Sequence, residues 1–255
     1  MADDVNVLLV GIDCAVAETN IGLALAEYNG GGVRLRAATL CDSERPAATT
    51  VVRWLTDARG QALLAIDAPL GWPVALAQSL VHHRAGEKID TEPNVMFRRA
   101  TDRFIGRELT KPLDVGADRI ARTARAALSL LRKVREGLGL EIPLAWALGT
   151  TAGTAAIEVY PAGTLVAHGF QSTCYKKREQ VDGRRKILAS LRSHIDVDDE
   201  HAAKLESNAD ALDAAVCVLA AKDFLDGRAF PPEDLELAAK EGWIWACRRL
   251  KPNDR

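Results

Sequence analysis

Two short apolar runs, each ending in an aspartate, constrain this chain more than any other feature. "VLLVGID" (7–13) and "ALLAID" (62–67) are hydrophobic without polar alternation over the length of a strand. A strand of that kind buries both faces, as in a parallel sheet covered by helices on both sides. The last residue of each run is a carboxylate, Asp13 or Asp67, and after Asp67 the stretch "APLGWP" (68–73) stops regular structure with two prolines and a glycine. An ionised carboxylate at the end of a buried strand costs roughly several kcal/mol unless a partner or a cation compensates it. The two aspartates therefore call for a chemical explanation.

The segments around them read as an α/β chain. "NIGLALAEY" (20–28) and "VRLRAATL" (33–40) are strands joined across Asn29-Gly30-Gly31-Gly32, a hairpin signal. "RPAATTVVRWLTDAR" (45–59) has a helical pattern with Pro46 near its first turn, and it leads into the strand that ends at Asp67. A helical crossover of that kind makes the first and fourth strands parallel. Residues 74–150 leave the strand pattern and form a mainly helical insertion. "AAIEVYPAG" (155–163) restores strand character and is followed by a helix at "GTLVAHGF" and a basic helical stretch near 176–192. One long helix is expected through "EHAAKLESNADALDAAVCVLAAKDFL" (200–225), and "GWIWA" (242–246) is expected as a short closing strand. Trp243 and Trp245 alternate around Ile244 and read as a core patch.

The order is a three-strand start with a hairpin, a helix, a fourth strand, an interruption, a fifth strand and C-terminal helices. It resembles the ribonuclease H-like fold, an α/β mixed sheet flanked by helices. We expect one such domain over 1–255 with its insertion at about 74–150.

Composition excludes several classes. Apolar residues make up 48% and charged residues 27%, the balance of a globular protein. No apolar run reaches the ~18 residues that a membrane-spanning helix needs, so no membrane association is expected. "MADDVNV" is acidic and moves straight into a strand, which is not the pattern of a signal peptide. The five cysteines (14, 41, 174, 217, 247) are scattered, without CxxC spacing, which points to reduced thiols and a cytoplasmic location rather than a disulfide framework or zinc knuckle.

Net charge is −2, so the chain as a whole is no basic nucleic-acid binder. Its distribution is uneven: 98–135 holds eleven Arg or Lys against four Asp or Glu, and 174–194 holds seven against two. Basic segments set against acidic strand ends suit the recruitment of a polyanion to a cation-binding centre. The competing reading is a pair of solvated helix faces, with basic residues of the insertion paired to Asp114, Asp118 and Glu136.

The acids themselves suggest chemistry. Asp13 and Asp67 end parallel strands on the same edge of the sheet. Asp210 and Asp213 share a helix face at i, i+3 spacing, with Asp213 leading into the apolar "AAVCVLAA". Hard cations such as Mg²⁺ and Mn²⁺ prefer oxygen ligands, and a pair ~4 Å apart can clamp the oxygens of phosphodiester cleavage. Clustered acids without a cation repel and become partly protonated.

The chain also resembles the domain of unknown function 429 family, predicted ribonuclease H-like nucleases. The matching stretches are "VGIDCA" (10–15), "AIDAPLGWP" (65–73), "RRATD" (98–102), "IEVYPA" (157–162), "YKKR" (175–178), "ADALDAAVCVLAA" (209–221) and "EGWIW" (241–245), in the family's order. The resemblance implies the ribonuclease H-like fold with Asp13, Asp67 and Asp213 as metal-site acids.

The expected function is a divalent-metal-dependent nuclease, a hydrolase in which carboxylate-bound Mg²⁺ or Mn²⁺ activates water against nucleic acid. Asp13, Asp67 and Asp213 are its catalytic acids, with Glu158 and Asp210 as further metal ligands. Glu158 has the alternative of pairing with the basic "YKKRE" segment, and Asp210 that of a first-turn acid beside the helix dipole. Arg99, Lys176 and Lys177 are candidate substrate contacts, Arg99 through a two-bond grip on phosphate; their alternative is an ion pair with one of the acids. Two other functions compete. An actin-like phosphotransferase would need a glycine where Ala15 stands and a late Gly-rich loop, for which "LGTTAG" (148–153) is the nearest stretch. A non-catalytic nucleic-acid or metal-binding protein would keep the acids without turnover.

Overall fold

A computed structural model describes residues 6–57, 60–116, 118–149, 151 and 153–249. The extreme N-terminus and part of "LGTTAG" lie outside the described residues. The first apolar run forms β1 (Val7–Asp13), buried at every position. β2 (Gly22–Asn29) and β3 (Gly32–Leu40) follow as an antiparallel hairpin. The helix α1 (Ala47–Asp57) crosses to β4 (Gln61–Asp67). Four helices come next: α2 (Val74–Leu80), α3 (Pro93–Met96), α4 (Ala100–Glu108) and α5 (Asp118–Leu138). β5 (Thr154–Glu158) then completes the sheet, in the order β3-β2-β1-β4-β5, with β1, β4 and β5 parallel. That mixed order, with helices on both faces, is the ribonuclease H-like arrangement.

The chain closes with α6 (Pro161–Ala167), α7 (Val181–Leu191), α8 (Asp199–Ser207), α9 (Ala209–Leu225) and α10 (Leu235–Glu241). No helix among the described residues is long and apolar enough to cross a membrane. All five cysteines are free.

Strand residues alternate between two cores, because successive side chains point to opposite faces. Val7, Leu9, Leu63, Ala65 and Ile157 pack with α9. Val10, Ile12, Leu64, Ile66 and Ala156 pack with α1 and α5. By this parity Asp13 and Asp67 belong to the α9 face. Gly11 lets α9 come that close, since a Cβ there would run into the Ala214 carbonyl oxygen. Every residue of α9 except Asp210 is buried, as suits a central helix that is apolar around its whole girth.

Two expected elements differ. The expected single helix over 200–225 is broken at Asn208, whose backbone is extended (φ −138°, ψ 129°) and whose side chain accepts from the N–H groups of Asp210 and Ala211. Asparagine competes well for exposed helix-start donors, so it ends α8 and starts α9 at an angle that helical periodicity does not reveal. The "GWIWA" stretch forms one isolated bridge, Glu158 to Ile244, and the next residue, Cys247, bridges to Ala229, instead of a strand. Trp243 and Trp245 are buried in the α9-side core.

Candidate metal and phosphate site

Register brings the two strand-end acids together: Asp13 and Asp67 are direct partners across β1 and β4. Both line a cavity of about 340 Å³ with Arg119 and Thr123 of α5, Tyr160 and Lys176. Burial, then the neighbouring Asp67 charge, pushes the Asp13 carboxyl well above its usual range. Burial also lifts Asp67, to about 7, against the pull of the Lys176 ammonium. The two carboxyls lie close enough to share a proton.

The helix acids approach from the same face. Asp213 is fully buried on α9; its Oδ1 accepts the Tyr175 hydroxyl at 3.0 Å, and its Oδ2 lies against the Lys176 ammonium. Asp210 is partly buried one turn earlier, and burial raises its pKa, again opposed by Lys176. Lys176 thus stands electrostatically among all four aspartates, while its side chain remains 55% exposed. Asp13 and Asp67 line the cavity, whereas Asp213 lies beneath Lys176.

Glu158 and Arg99 line the same cavity but are paired with each other, which is the ion-pair alternative for Arg99. Glu158 lies on β5 opposite Ile66, so its parity directs it to the sheet face away from α9. Both of its oxygens accept from Arg99, at 2.6 and 2.8 Å, and Oε2 also accepts the Leu70 N–H. Its partner is Arg99 and not the "YKKRE" segment.

The Arg99 guanidinium, 1% exposed, makes five hydrogen bonds: two to Asp102, two to Glu158 and one to the Glu241 carbonyl. A guanidinium has five donors, so none is left for a phosphate. This closed ion network borders the acidic cavity and anchors the start of α4 and the loop after β4. Gly242 (φ +86°) passes over it, where a Cβ would meet Glu158 Oε2 at 2.8 Å and Arg99 Nη1 at 2.9 Å. Lys177 is exposed; its backbone N–H donates to Gln180 and its carbonyl accepts from Arg184, while the cavity is lined by its neighbour Lys176.

Sequence reasoning missed Tyr175 and the partners of Arg99. Tyr175 lies inside "YKKR", but nothing in its spacing ties it to a helix acid thirty-eight residues on. It also missed a second cluster. Among the described residues, one trio of potential metal ligands has its atoms within 4.8 Å of one another: His168, Asp223 and Cys247, all buried at the other end of α9. His168 Nε2 is 2.8 Å from Asp223 Oδ2, and Arg228 donates to Asp223 Oδ1, so a cation already compensates that carboxylate.

No curated protein matches the chain. The solved structures that match include T. thermophilus RuvC in complex with Holliday junction substrate, at 11% identity and a TM-score of 0.37, over 85% of this chain and 94% of that one. The family described as protein of unknown function (DUF429) matches residues 11–236, from the middle of β1 into α10. With the match running through β1, β4 and α9, which carry the four aspartates, the chain belongs to the domain of unknown function 429 family.

Proposed function

We propose that the protein is a nuclease-type phosphodiesterase that uses Mg²⁺ or Mn²⁺, with Asp13, Asp67 and Asp213 as the cation's ligands and Asp210 beside them. The observation that carries this reading is the convergence of in-register Asp13 and Asp67 on the α9 face that presents Asp213, with one ammonium among these acids. The donor set fits a hard divalent cation, because it is all carboxylate oxygen. The charge fits too: burial raises both carboxyls, the Asp67 charge adds to the effect on Asp13 and the Glu158 charge to that on Asp67, and a divalent cation would offset these costs.

Such an ion supplies activation of water and neutralisation of charge on the phosphoryl oxygens. The chain's own residues do the rest. Tyr175 fixes Asp213 through Oδ1, leaving Oδ2 to face Lys176. The exposed Lys176 stem lets the ammonium move from Asp213 to a phosphate oxygen, which frees Oδ2 for the cation. Arg119 offers a second positive group on the cavity wall formed by α5. A cavity of about 340 Å³ suits a single nucleotide unit entering between these walls.

The test is a panel of labelled single-stranded, duplex and branched DNA and RNA incubated with Mg²⁺ or Mn²⁺ and no nucleoside triphosphate. Mn²⁺ calorimetry on wild type, Asp13→Asn and Asp213→Asn accompanies it. Cleavage of at least one substrate, with weakened Mn²⁺ binding and retained melting in both variants, is expected. Unchanged Mn²⁺ affinity in both variants would overturn the metal assignment. Saturable ATP binding with no cleavage anywhere in the panel would replace it by actin-like phosphotransfer.

A further inference from the structure

Beside the acidic cavity lies a second concavity of about 470 Å³ between α1 and α5. The two adjoin along two elements. Asp13 and Cys14 line the acidic cavity, and the next residues, Ala15 and Val16, line the second. On α5, Arg119, Ile120 and Thr123 line the first, while Arg122, Arg125, Ser129 and Lys133 line the second. The two linings meet at consecutive residues of both elements.

The groove is cationic for a specific reason. At 100° per residue, Arg119, Arg122, Arg125, Ser129 and Lys133 fall within an arc of about 120° on α5. The other cations nearby are already engaged: Arg132 pairs with Glu136, Arg135 donates to the Ile142 carbonyl, and Arg98 pairs with Asp114. Arg119, Arg125 and Lys133 form no ion pair or side-chain hydrogen bond among the described residues. The groove's one acid, Glu18, is occupied by the Ala47 N–H. Arg119, Arg125 and Lys133 thus face the two cavities without an ion pair among the described residues.

We infer that this groove is a track for the sugar–phosphate backbone of a polynucleotide strand, which Arg125 and Lys133 grip while an adjoining phosphate lies at the carboxylates. The inference rests on the function proposed above and names how its substrate is held. From Arg119 to Lys133 the helix runs about 21 Å, roughly the rise of six nucleotides of a duplex strand, so several phosphates of one strand can lie along it. The concave shape suits a strand better than a lipid surface. Apolar Ala15, Val16 and Leu130 on its walls accept sugar edges between phosphate contacts.

The experiment is fluorescence anisotropy on the full chain with labelled single-stranded and duplex oligonucleotides, in EDTA, from 0.05 to 1 M salt. It compares wild type, the double variant Arg125→Ala/Lys133→Ala, and the control Arg132→Ala. Each lost phosphate contact lowers the single-strand salt slope by ~0.7, so the double variant should bind about 25-fold more weakly at 0.1 M salt with a slope smaller by ~1.4. Arg132→Ala should match wild type, because its partner is Glu136.

An unchanged slope in the double variant, an equal loss in the control, or no oligonucleotide binding by wild type would each overturn the track. So would competition by inorganic phosphate as effective, per phosphate, as an oligonucleotide. Mn²⁺ calorimetry on the same proteins separates this from the catalytic reading. Normal Mn²⁺ binding at the aspartates with an intact slope in the double variant removes the track alone. A lost slope without any aspartate-dependent Mn²⁺ site removes the metal centre and leaves the track standing.

Discussion

Asp67→Asn should stabilise the metal-free protein at alkaline pH and abolish part of its pH dependence. Asp67 titrates near 7 in the folded chain because burial disfavours its charge, against 3.8 for an ordinary aspartate. The folded state therefore binds a proton more tightly than the unfolded state, and stability falls as pH rises from about 4 to about 7. At about 1.36 kcal/mol per pH unit over that interval, the loss comes to about 4 kcal/mol, an upper figure because the side chain keeps some contact with solvent in the cavity. Asparagine keeps the shape and removes the charge. For a chain of this size, the variant should melt up to about 8–16 °C above wild type at pH 8 in EDTA. Below pH 4 the two should converge.

The assay is calorimetric or fluorescence melting from pH 4 to 8, with EDTA and then with Mn²⁺. Mn²⁺ should raise the wild-type melting temperature at pH 8 and leave the variant nearly unmoved, since a ligand stabilises only the state that binds it. Identical melting profiles for the two proteins across this range would refute the reasoning, because the ionised carboxylate would then cost nothing in the folded chain.

Two further outcomes follow from the neighbouring side chains. Arg99→Met should lose about 3–5 kcal/mol in urea unfolding, because it leaves the buried Asp102 and Glu158 without their partner; Arg99→Lys should recover only part of this, and a loss below about 1 kcal/mol would refute the closed network. Tyr175→Phe removes a hydrogen bond to a buried carboxylate and should cost about 1.5–3 kcal/mol at pH 8; unfolding identical to wild type would show that the hydroxyl does not hold Asp213.

Much of the fold was legible in the chain because its signals are local. The unbroken apolar runs 7–13 and 62–67 required strands buried on both faces, and the glycine-rich link at 29–32 required a hairpin. Those elements, in that order with a helix between, leave few ways to connect a sheet, and Asp13 and Asp67 arrive at one edge in any of them. The aspartates of α9 were legible as sharing a face, since i, i+3 spacing states it directly.

What the tertiary structure alone decided depends on phase and long-range pairing. Glu158 and Asp67 both sit at the ends of parallel strands, yet one residue of register sends their carboxylates to opposite faces. That step gives Glu158 to Arg99 on one wall of the cavity and sets Asp67 beside Asp13 and Lys176. Arg132 and Lys133 are adjacent in a basic helix, but a 100° rotation turns one toward Glu136 and the other into the groove beside α1. Tyr175 meets Asp213 only because the loop before α7 folds over the start of α9. Composition shows how many charges a segment carries, but only packing determines which of them are already neutralised, because each pairing depends on chain segments distant in sequence.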